Sequence, residues 1–529
     1  MAKTMKKVNV ATVGVGFLGS LVLAECAKAG LSALGLERGE RRGPEDFQEL
    51  HDEWRYAVNY ALMQDLSRET VTFRNTEAMK ALPMRRLGSF LLGDGLGGAG
   101  THWNGMTFRF SPYDFQLKTM TEQRYGRNKL GPDYQLQDYP LTYDEMEPYY
   151  TAFEEAVGVA GEPGHFDGKR SKPYPMPPLV KTPALSMFEQ AARKMGCHPY
   201  MIPAAIASGP FTTPDGIEHN PCMYCGFCER FACEYDAKAQ PSNTFIPAAE
   251  KTGNCEIRCN SNVVEILRKD GMVAGVRYVD TLTKEEFIQP ADVVVLSGYV
   301  MNNAKLLMVS KIGRLYDPRT GRGTLGKGLC YQITPGATVF FDEPMNLFAG
   351  AGALGICCDD FNADNFDHER LDFIHGAVIS LTQTGKRPIE SNSTPPGTPS
   401  WGSAFKKASA YNFNRSLGIG AQGASMPYRY NYLSLDDTYR DAYGLPLLRM
   451  TYNFTGQDRA LFRFISGKIR ELARAMNPRA MAEKPSPEDY NIVPYQTTHN
   501  TGGTLTGKSP EDSVVNSYLQ HWDAENLFV

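Results

Sequence analysis

The sequence has no apolar run approaching the roughly 20 residues that a membrane-spanning helix needs, which argues against a transmembrane segment. Its basic start, MAKTMKKVNVATVGVG, leads into a glycine motif without a small-residue cleavage site, so we expect no signal peptide. The net charge of −4 offers no basic surface for nucleic acid. A C-x-x-C-H haem site is also absent, and there is no internal repeat.

The composition is that of an ordinary globular protein. Hydrophobic residues make up 42% of the chain and charged residues 22%. With 529 residues, the chain is long enough to bury a large core and to form more than one domain. The 50 glycines and 34 prolines indicate many turns and loops.

Four of the eleven cysteines lie close together, as Cys222, Cys225, Cys228 and Cys233 in the pattern C-x2-C-x2-C-x4-C. Closely spaced thiolates on a glycine-containing turn are typical of an iron–sulfur cluster. Zinc more often takes separated C-x2-C pairs, and disulfides would form in an exported protein, so the spacing favours a cluster and leaves both alternatives open. Bacterial ferredoxins have a last gap of three residues followed by proline, whereas here the gap is four and Glu234 follows. Three or four ligands are therefore open, and three would favour a three-iron cluster.

The amino-terminal segment has the element order of a dinucleotide-binding βαβ unit. A predicted strand, a G-x-G-x-x-G motif, a predicted helix and a second strand follow one another at 8–13, at Gly14, Gly16 and Gly19, at 18–29 and at 31–36. Glu37 ends the second strand, eighteen residues after Gly19, where an acid would bind the ribose hydroxyls. This order predicts a pyrophosphate at the helix N-terminus but does not distinguish FAD from NAD.

A second glycine-rich segment, GDGLGGAGTHWNG, contains Gly97, Gly98, His102 and Asn104. Together with the first motif and the cysteine run, it makes the chain resemble the glucose–methanol–choline family of flavoprotein oxidoreductases. Further matching segments span nearly the whole chain: YQLQDYPLTYDEMEPYY, YGLPLLRMTYNF, PYQTTHNTGG and SVVNSYLQHWDAENLFV. Within the family, the likeness is to the flavoprotein subunits of membrane-bound gluconate 2-dehydrogenases, and glucoside 3-dehydrogenases look similar.

The resemblance implies FAD rather than NAD, and a cluster of the three-iron type in the cysteine run. It implies that Gly97, Gly98 and Asn104 bind the flavin and that Val263 and Val264 lie near the adenine. Some relatives, such as pyranose oxidases, carry at the place of His102 a histidine bonded covalently to the flavin. The alternative for His102 is a histidine that only packs beside the flavin or binds a backbone carbonyl.

The resemblance also indicates His499 as the catalytic base, because the family places its catalytic histidine before a late Gly-Gly turn. Histidine suits this task, since its unperturbed pKa of about 6.5 lies near working pH. In relatives the last strand continues into a segment that carries a second His or Asn. Here the sequence ends at Val529, and we expect that segment to be missing from the sequence rather than from the protein.

The expected fold class is α/β, with a Rossmann-like FAD-binding domain and a substrate-binding domain built on an antiparallel sheet. We expect the FAD-binding domain at 1–115, 220–335 and 485–529, with the iron–sulfur segment at 221–241, and the substrate-binding domain at 116–219 and 336–484.

The function that the resemblance implies is an FAD-dependent sugar or aldonate dehydrogenase, with gluconate oxidised to 2-ketogluconate. Electrons would leave through the cluster to a multi-haem cytochrome c subunit, and a small subunit would carry the export signal. The protein would then be periplasmic and held at the inner membrane by its partners. The alternatives are a glucoside 3-dehydrogenase or other sugar dehydrogenase, and a flavin and iron–sulfur protein that transfers electrons or senses redox state.

Overall fold

The structure is a computed structural model that describes residues 2–47, 51–129, 131–495 and 498–529. The α-helices are α1 Phe17–Lys28, α2 Ala99–His102, α3 Pro112–Phe115, α4 Leu117–Tyr125, α5 Tyr143–Val157, α6 Pro183–Lys194, α7 Phe245–Lys251, α8 Val300–Val309, α9 Gly402–Asn412 and α10 Gly456–Ala475. The strands are β1 Lys3–Thr4, β2 Val8–Val13, β3 Ala33–Leu36, β4 Val71–Arg74, β5 Leu82–Pro83, β6 Tyr200–Met201, β7 Phe211–Thr212, β8 Glu218–His219, β9 Cys255–Arg258, β10 Ser261–Lys269, β11 Met272–Asp280, β12 Glu286–Leu296, β13 Gln332–Ile333, β14 Gly336–Phe340, β15 Gly355–Cys358, β16 Ala377–Thr382, β17 Ser416–Ala424, β18 Tyr432–Arg440, β19 Pro446–Thr451, β20 Ala480–Glu483, β21 Gln520–His521 and β22 Ala524–Phe528. None of the described helices is both long and apolar enough to cross a bilayer.

The first sheet has the order β10-β11-β12-β2-β3-β9, with β1 and β22 also paired to β12, and β21 to β22. The long strand β12 connects the antiparallel part of this sheet to its parallel part. Its first half pairs antiparallel with β11, and its second half runs parallel to both β2 and β22. Parallel neighbours of this kind need both faces covered, and helices α1 and α8 contact the strands of this sheet. The sheet therefore joins the two ends of the sequence to its middle.

The second sheet has the order β20-β14-β17-β16-β15-β6, with β13 paired to β17, and its pairings are antiparallel. Helix α10 covers it through a buried apolar face that includes Leu461, Ile465 and Ile469. The helix begins with a capping box in which Thr455 and Asp458 exchange hydrogen bonds. The apolar residues of α10, spaced three or four apart, thus make it a core helix.

The α/β class and the mixture of a largely parallel and an antiparallel sheet confirm the expected fold. A third sheet, β18-β19-β4-β5, combines strands from the predicted FAD-binding and substrate-binding segments. Strand β13 lies before the boundary expected at 335 yet pairs within the antiparallel sheet. The exact domain boundaries therefore stay a prediction.

Candidate active site

The turn from β2 to α1 requires glycine at two of its three motif positions for reasons internal to the chain. Gly14 has φ +88°, and a Cβ there would lie 2.7 Å from the Cα of Gly298. A Cβ on Gly19 would lie 2.1 Å from the carbonyl oxygen of Gly14. These two glycines let the helix start directly against the sheet.

Gly16 and Gly98 are different, because their missing side chains leave open space. The nearest atom to a Cβ on Gly16 would be 3.8 Å away, and for Gly98 it would be 3.6 Å away. Both residues line a cavity of about 330 Å³ above the carboxyl ends of β2 and β3. The protein itself does not demand glycine at Gly16, so the bare backbone there suits a ligand that approaches closely.

Glu37 and Val263 also line this nucleotide cavity. The Glu37 carboxylate accepts hydrogen bonds from the backbone N–H groups of Val15 and Gly39, both at 3.0 Å. Burial raises the pKa of this carboxyl, which the two N–H groups oppose. Val263 contributes to the lining together with Ser261 and Asn262, while Val264 does not; the pairing of β10 with β11 is irregular between Val263 and Glu265. A flat adenine with a ribose and a pyrophosphate fits this combination of acid, apolar wall and bare glycine turn.

A second cavity, of about 550 Å³, opens against the antiparallel sheet and contains His499 and Asn500 in its wall. Burial of the ring lowers the pKa of His499 below its usual value. The Asn500 side chain accepts a hydrogen bond of 2.8 Å from the Tyr299 hydroxyl, and its Nδ2 is buried and has no partner among the residues that the structure describes. Tyr299 lines the nucleotide cavity, so this bond joins the two cavities. We call the second one the substrate cavity.

Charged groups surround the far wall of the substrate cavity. Arg109 lines it and donates two hydrogen bonds to the buried carboxylate of Glu154 and one to Glu147. Three further carboxyl groups, Asp114, Asp167 and Asp359, line it as well. A polar, hydrogen-bonding wall of this kind suits a hydroxyl-rich ligand.

His102 and Asn104 lie in and just after α2. His102 is 7% exposed, and none of the described residues forms a hydrogen bond with its Nε2. Burial, with the nearby ammonium of Lys238, lowers the pKa of His102 to about 3, so the ring is neutral. Asn104 accepts from the backbone N–H of Met106 at 3.1 Å. His102, Asn104 and Gly97 are not among the residues that line either cavity, and their roles toward the flavin stay predictions.

Two family models, both described as GMC oxidoreductase, match residues 139–334 and 427–529. Gluconate 2-dehydrogenase flavoprotein from Pantoea cypripedii is 38% identical, over 100% of this chain and 90% of that protein. The chain belongs to the GMC oxidoreductase family. A member of this family is an oxidoreductase, and the family implies FAD as the cofactor and the CH–OH group of a donor as the site of oxidation.

Other relatives of this GMC oxidoreductase share its full length. Fructose dehydrogenase large subunit from Gluconobacter japonicus is 25% identical over 100% of this chain and 93% of that one. The solved structure of pyridoxine 4-oxidase from Mesorbium loti matches with a TM-score of 0.63 at 16% identity, covering 99% of this chain and 93% of that one. Formate oxidase from Aspergillus oryzae matches with a TM-score of 0.61 at 14% identity, covering 100% and 93%. These two structures confirm the fold.

The cysteine loop of this GMC oxidoreductase encloses a small space of its own. Cys222, Cys225, Cys228 and Cys233 all line one cavity, and all eleven cysteines of the chain are free thiols. Burial raises the pKa of Cys222 to about 12 and that of Cys228 to about 11. Buried thiols of this kind ionise only beside a positive charge such as a metal centre.

The spacing of the four sulfurs differs from that of a single-metal site. Two thiolates on one zinc, each at about 2.3 Å, lie at most about 4.6 Å apart. Within the described residues, the only group of three or more Cys, His, Asp or Glu whose ligand atoms all lie within 4.8 Å is Cys197, Cys358 and Asp360. The four loop cysteines do not form such a group among the described residues, and the choice between a zinc ion and an iron–sulfur cluster stays a prediction.

Lys238 is a residue that the sequence reasoning missed. It is fully buried, and its ammonium donates to four backbone carbonyls, those of Thr101, Trp103, Cys228 and Phe231. Two of these carbonyls flank His102 and two belong to the cysteine loop. Lys238 therefore ties the loop to the predicted flavin-binding turn. Its place five residues after Cys233 was the only available signal, and no general rule connects that spacing with burial.

Proposed function

We propose that this GMC oxidoreductase is a dehydrogenase that oxidises a secondary hydroxyl group of a sugar or aldonate. The observation that carries the proposal is the hydrogen bond between Tyr299 and Asn500, which joins the nucleotide cavity to the cavity of His499. The 38% identity to a gluconate 2-dehydrogenase flavoprotein supports gluconate, oxidised to 2-ketogluconate, as the first donor to test. A glucoside 3-dehydrogenase or another sugar dehydrogenase of the same fold is the second candidate, supported by the fructose dehydrogenase relative.

In this proposal His499 is the base. Its lowered pKa keeps the imidazole neutral near pH 7, so that a ring nitrogen is able to accept the proton of the donor hydroxyl. The Nδ2 of Asn500, which has no partner within the described residues, is available to donate a hydrogen bond to the same oxygen. Bound FAD supplies the acceptor for the hydride that leaves the donor carbon, and the alcohol becomes a ketone.

The residues of the nucleotide cavity would hold that FAD. Gly14, Gly16 and Gly19 would admit the pyrophosphate at the start of α1, and Glu37 would accept from the ribose hydroxyls. The discontinuous FAD-binding and substrate-binding domains expected from the sequence remain part of this proposal.

A covalent bond between FAD and His102 is a further part of the proposal. It is supported by the buried Nε2 of His102, which has no partner in the described ranges of the chain. Acid precipitation of the protein tests it. Flavin in the pellet would support the bond, and flavin left in the supernatant would exclude it.

For the electron path we propose an iron–sulfur cluster held by Cys222, Cys225 and Cys228, with Cys233 as a fourth ligand or a neighbour. Such a cluster supplies single-electron transfer, which favours a dehydrogenase over an oxidase. A multi-haem cytochrome c subunit would accept the electrons, and a small subunit would carry the export signal to the periplasm and the inner membrane. The naming of one relative as a large subunit supports partners of this kind.

Visible and EPR spectra of the purified protein, recorded without oxygen before and after addition of gluconate, test the enzyme and the cluster together. Bleaching of the flavin, followed by a change in the iron signal, would support both. His499→Ala should abolish the bleaching while leaving the bound flavin in place. Unchanged bleaching in that variant would favour an electron-transfer or sensing protein, and bleaching by glucose or lactose alone would favour the second candidate donor.

A further inference from the structure

Arg109 is the only Lys or Arg among the described residues that line the substrate cavity, and it has no donor left for a ligand. A guanidinium carries five N–H groups. Those of Arg109 reach Glu154 twice, at 2.7 and 2.8 Å, Glu147 at 3.1 Å, Thr151 at 3.0 Å and Tyr143 at 3.4 Å. Its charge is paired with two carboxylates of α5, so it has no pair of free N–H groups that could bind the carboxylate of a donor.

Arg170 does not supply a free cation to the cavity either. Its guanidinium binds Glu154 and lies 3.7 Å from the ring centre of Tyr174, and it does not line the cavity. Arg109, Arg170, Glu147 and Glu154 together form a neutral cluster. No cation of this group remains to balance an anion in the cavity.

The other three acidic or basic side chains of the lining, apart from histidines, are carboxyls, and within the described residues only Asp114 forms an ion pair. Asp114 binds the Nε2 of His375 at 2.6 Å and the N–H and hydroxyl of Ser111. Asp167 accepts a hydrogen bond from the backbone N–H of Gly164, at 2.9 Å. Burial raises the pKa of Asp167 and outweighs the charges of Arg170 and Arg109, which lower it.

Asp359 is 7% exposed. Within the described part of the chain its carboxyl has one long hydrogen bond, 3.5 Å from the Tyr200 hydroxyl, and its Oδ1 has no partner. The charge of Asp167 adds to burial in disfavouring ionisation of Asp359, so the two carboxyls act on the same region. Carboxyl oxygens with free lone pairs accept hydrogen bonds from hydroxyl groups and repel a carboxylate.

We propose that Asp167 and Asp359 make the substrate cavity selective for a polyhydroxyl donor without a carboxylate. The preferred donor is then a neutral sugar or polyol rather than gluconate. The inference rests on the proposed function and changes only the preferred donor. Sugar hydroxyls would satisfy the open oxygens of both residues, whereas an aldonate would bring a third negative charge without a counter-ion. Removal of either carboxyl should therefore increase the rate constant for flavin reduction by the anionic donor more than that for the neutral donor.

Two matched pairs of donors test this. D-gluconate and D-glucitol share their hydroxyl configuration and differ at C1, which is a carboxylate or a CH2OH. D-glucuronate and D-glucose differ in the same way at C6. The measurement is the second-order rate constant for flavin reduction by each compound, in the purified holoenzyme without oxygen.

We expect the neutral member of a reacting pair to exceed the anion at least tenfold, equivalent to about 1.4 kcal/mol. A larger rate constant for the anion in either pair would overturn the inference but not the proposed dehydrogenase function. No reduction by any of the four compounds would overturn the inference and the proposed sugar donor together.

Asp359→Asn and Asp167→Asn then test the residues. At about pH 8, above the pKa of about 7 to which burial and Asp167 raise the Asp359 carboxyl, each should raise the ratio of the anionic to the neutral rate constant at least threefold, because a carboxylate becomes an uncharged amide. Asp437→Asn is the matched control, since the side chain of Asp437 is 90% exposed and lies outside the cavity lining. An unchanged ratio in both cavity variants that bind flavin normally would refute their role. If neither variant folds, the donor pairs on the unmodified protein still decide the proposal.

Discussion

Replacement of Lys238 by methionine should separate the cysteine loop from the predicted flavin-binding turn. Methionine keeps an unbranched apolar chain in the fully buried site but donates no hydrogen bond. The carbonyls of Thr101, Trp103 and Phe231 then lose this donor, while that of Cys228 keeps the backbone N–H of Phe231 at 3.2 Å. At about 1 kcal/mol for each unsatisfied buried carbonyl, the loss is about 3 kcal/mol. Methionine recovers part of this, because no ammonium has to be buried, so we expect a net loss of about 2 kcal/mol.

Thermal denaturation of Lys238→Met, together with its iron and flavin content, measures this effect. The unfolding midpoint should fall by several degrees, and the iron content should fall more than the flavin content, because the carbonyls of Cys228 and Phe231 belong to the loop. Lys28→Met is the control. The side chain of Lys28 is 35% exposed and pairs with Glu25 and Asp215 at the surface, where such pairs contribute at most about 1 kcal/mol. Equal midpoints and equal iron contents in the two variants would refute the reasoning.

Three further predictions concern FAD binding at Gly16, the protonation of His499 and the buried carboxylate of Glu154. Gly16→Val should lower FAD content and leave the apoprotein's unfolding midpoint within a degree or two, since the added side chain enters ligand space; normal FAD content would contradict this. The pH profile of kcat/KM should stay flat at pH 6.5 and fall only below it, because burial lowers the pKa of His499; an acid limb above pH 6.5 would be inconsistent with this base. Glu154→Gln should cost about 3 kcal/mol of unfolding free energy in denaturant titration, because Arg109 keeps its buried charge without its two-point partner; Glu155→Gln, at a more exposed position, should cost less than about 1 kcal/mol, and equal losses would argue against the buried pair.

Local rules were sufficient for the nucleotide-binding turn. The predicted strand at 8–13 is β2, and the helix predicted at 18–29 is α1 at Phe17–Lys28. Both depend on glycines next to one another in the sequence and on the apolar pattern of a short buried strand. The choice between Val263 and Val264 was harder, because a run of apolar residues predicts a strand without showing which face meets the ligand.

Residues whose role depends on distant parts of the chain were not predictable in this way. Tyr299 and Asn500 are 201 positions apart, and their hydrogen bond exists only when α8 meets the late loop. Arg109 would pass in the sequence for a free cation at a substrate site. Only the fold reveals that α5 brings two carboxylates to it and leaves the cavity acidic. His499 was found from its motif, whereas the charge around it was not.

The position of β12 between β2 and β22 has a consequence for biosynthesis. Val294 pairs with Ala11 on one side and with Leu527 on the other, so this strand joins segments that lie far apart in the sequence. Contacts over such sequence distances form slowly, because a long loop must close before the pairing offsets its entropy. Strand β12 therefore keeps an unpaired edge until β22 has been synthesised and has paired with it. A chaperone that covers this edge would protect it from aggregation during that time.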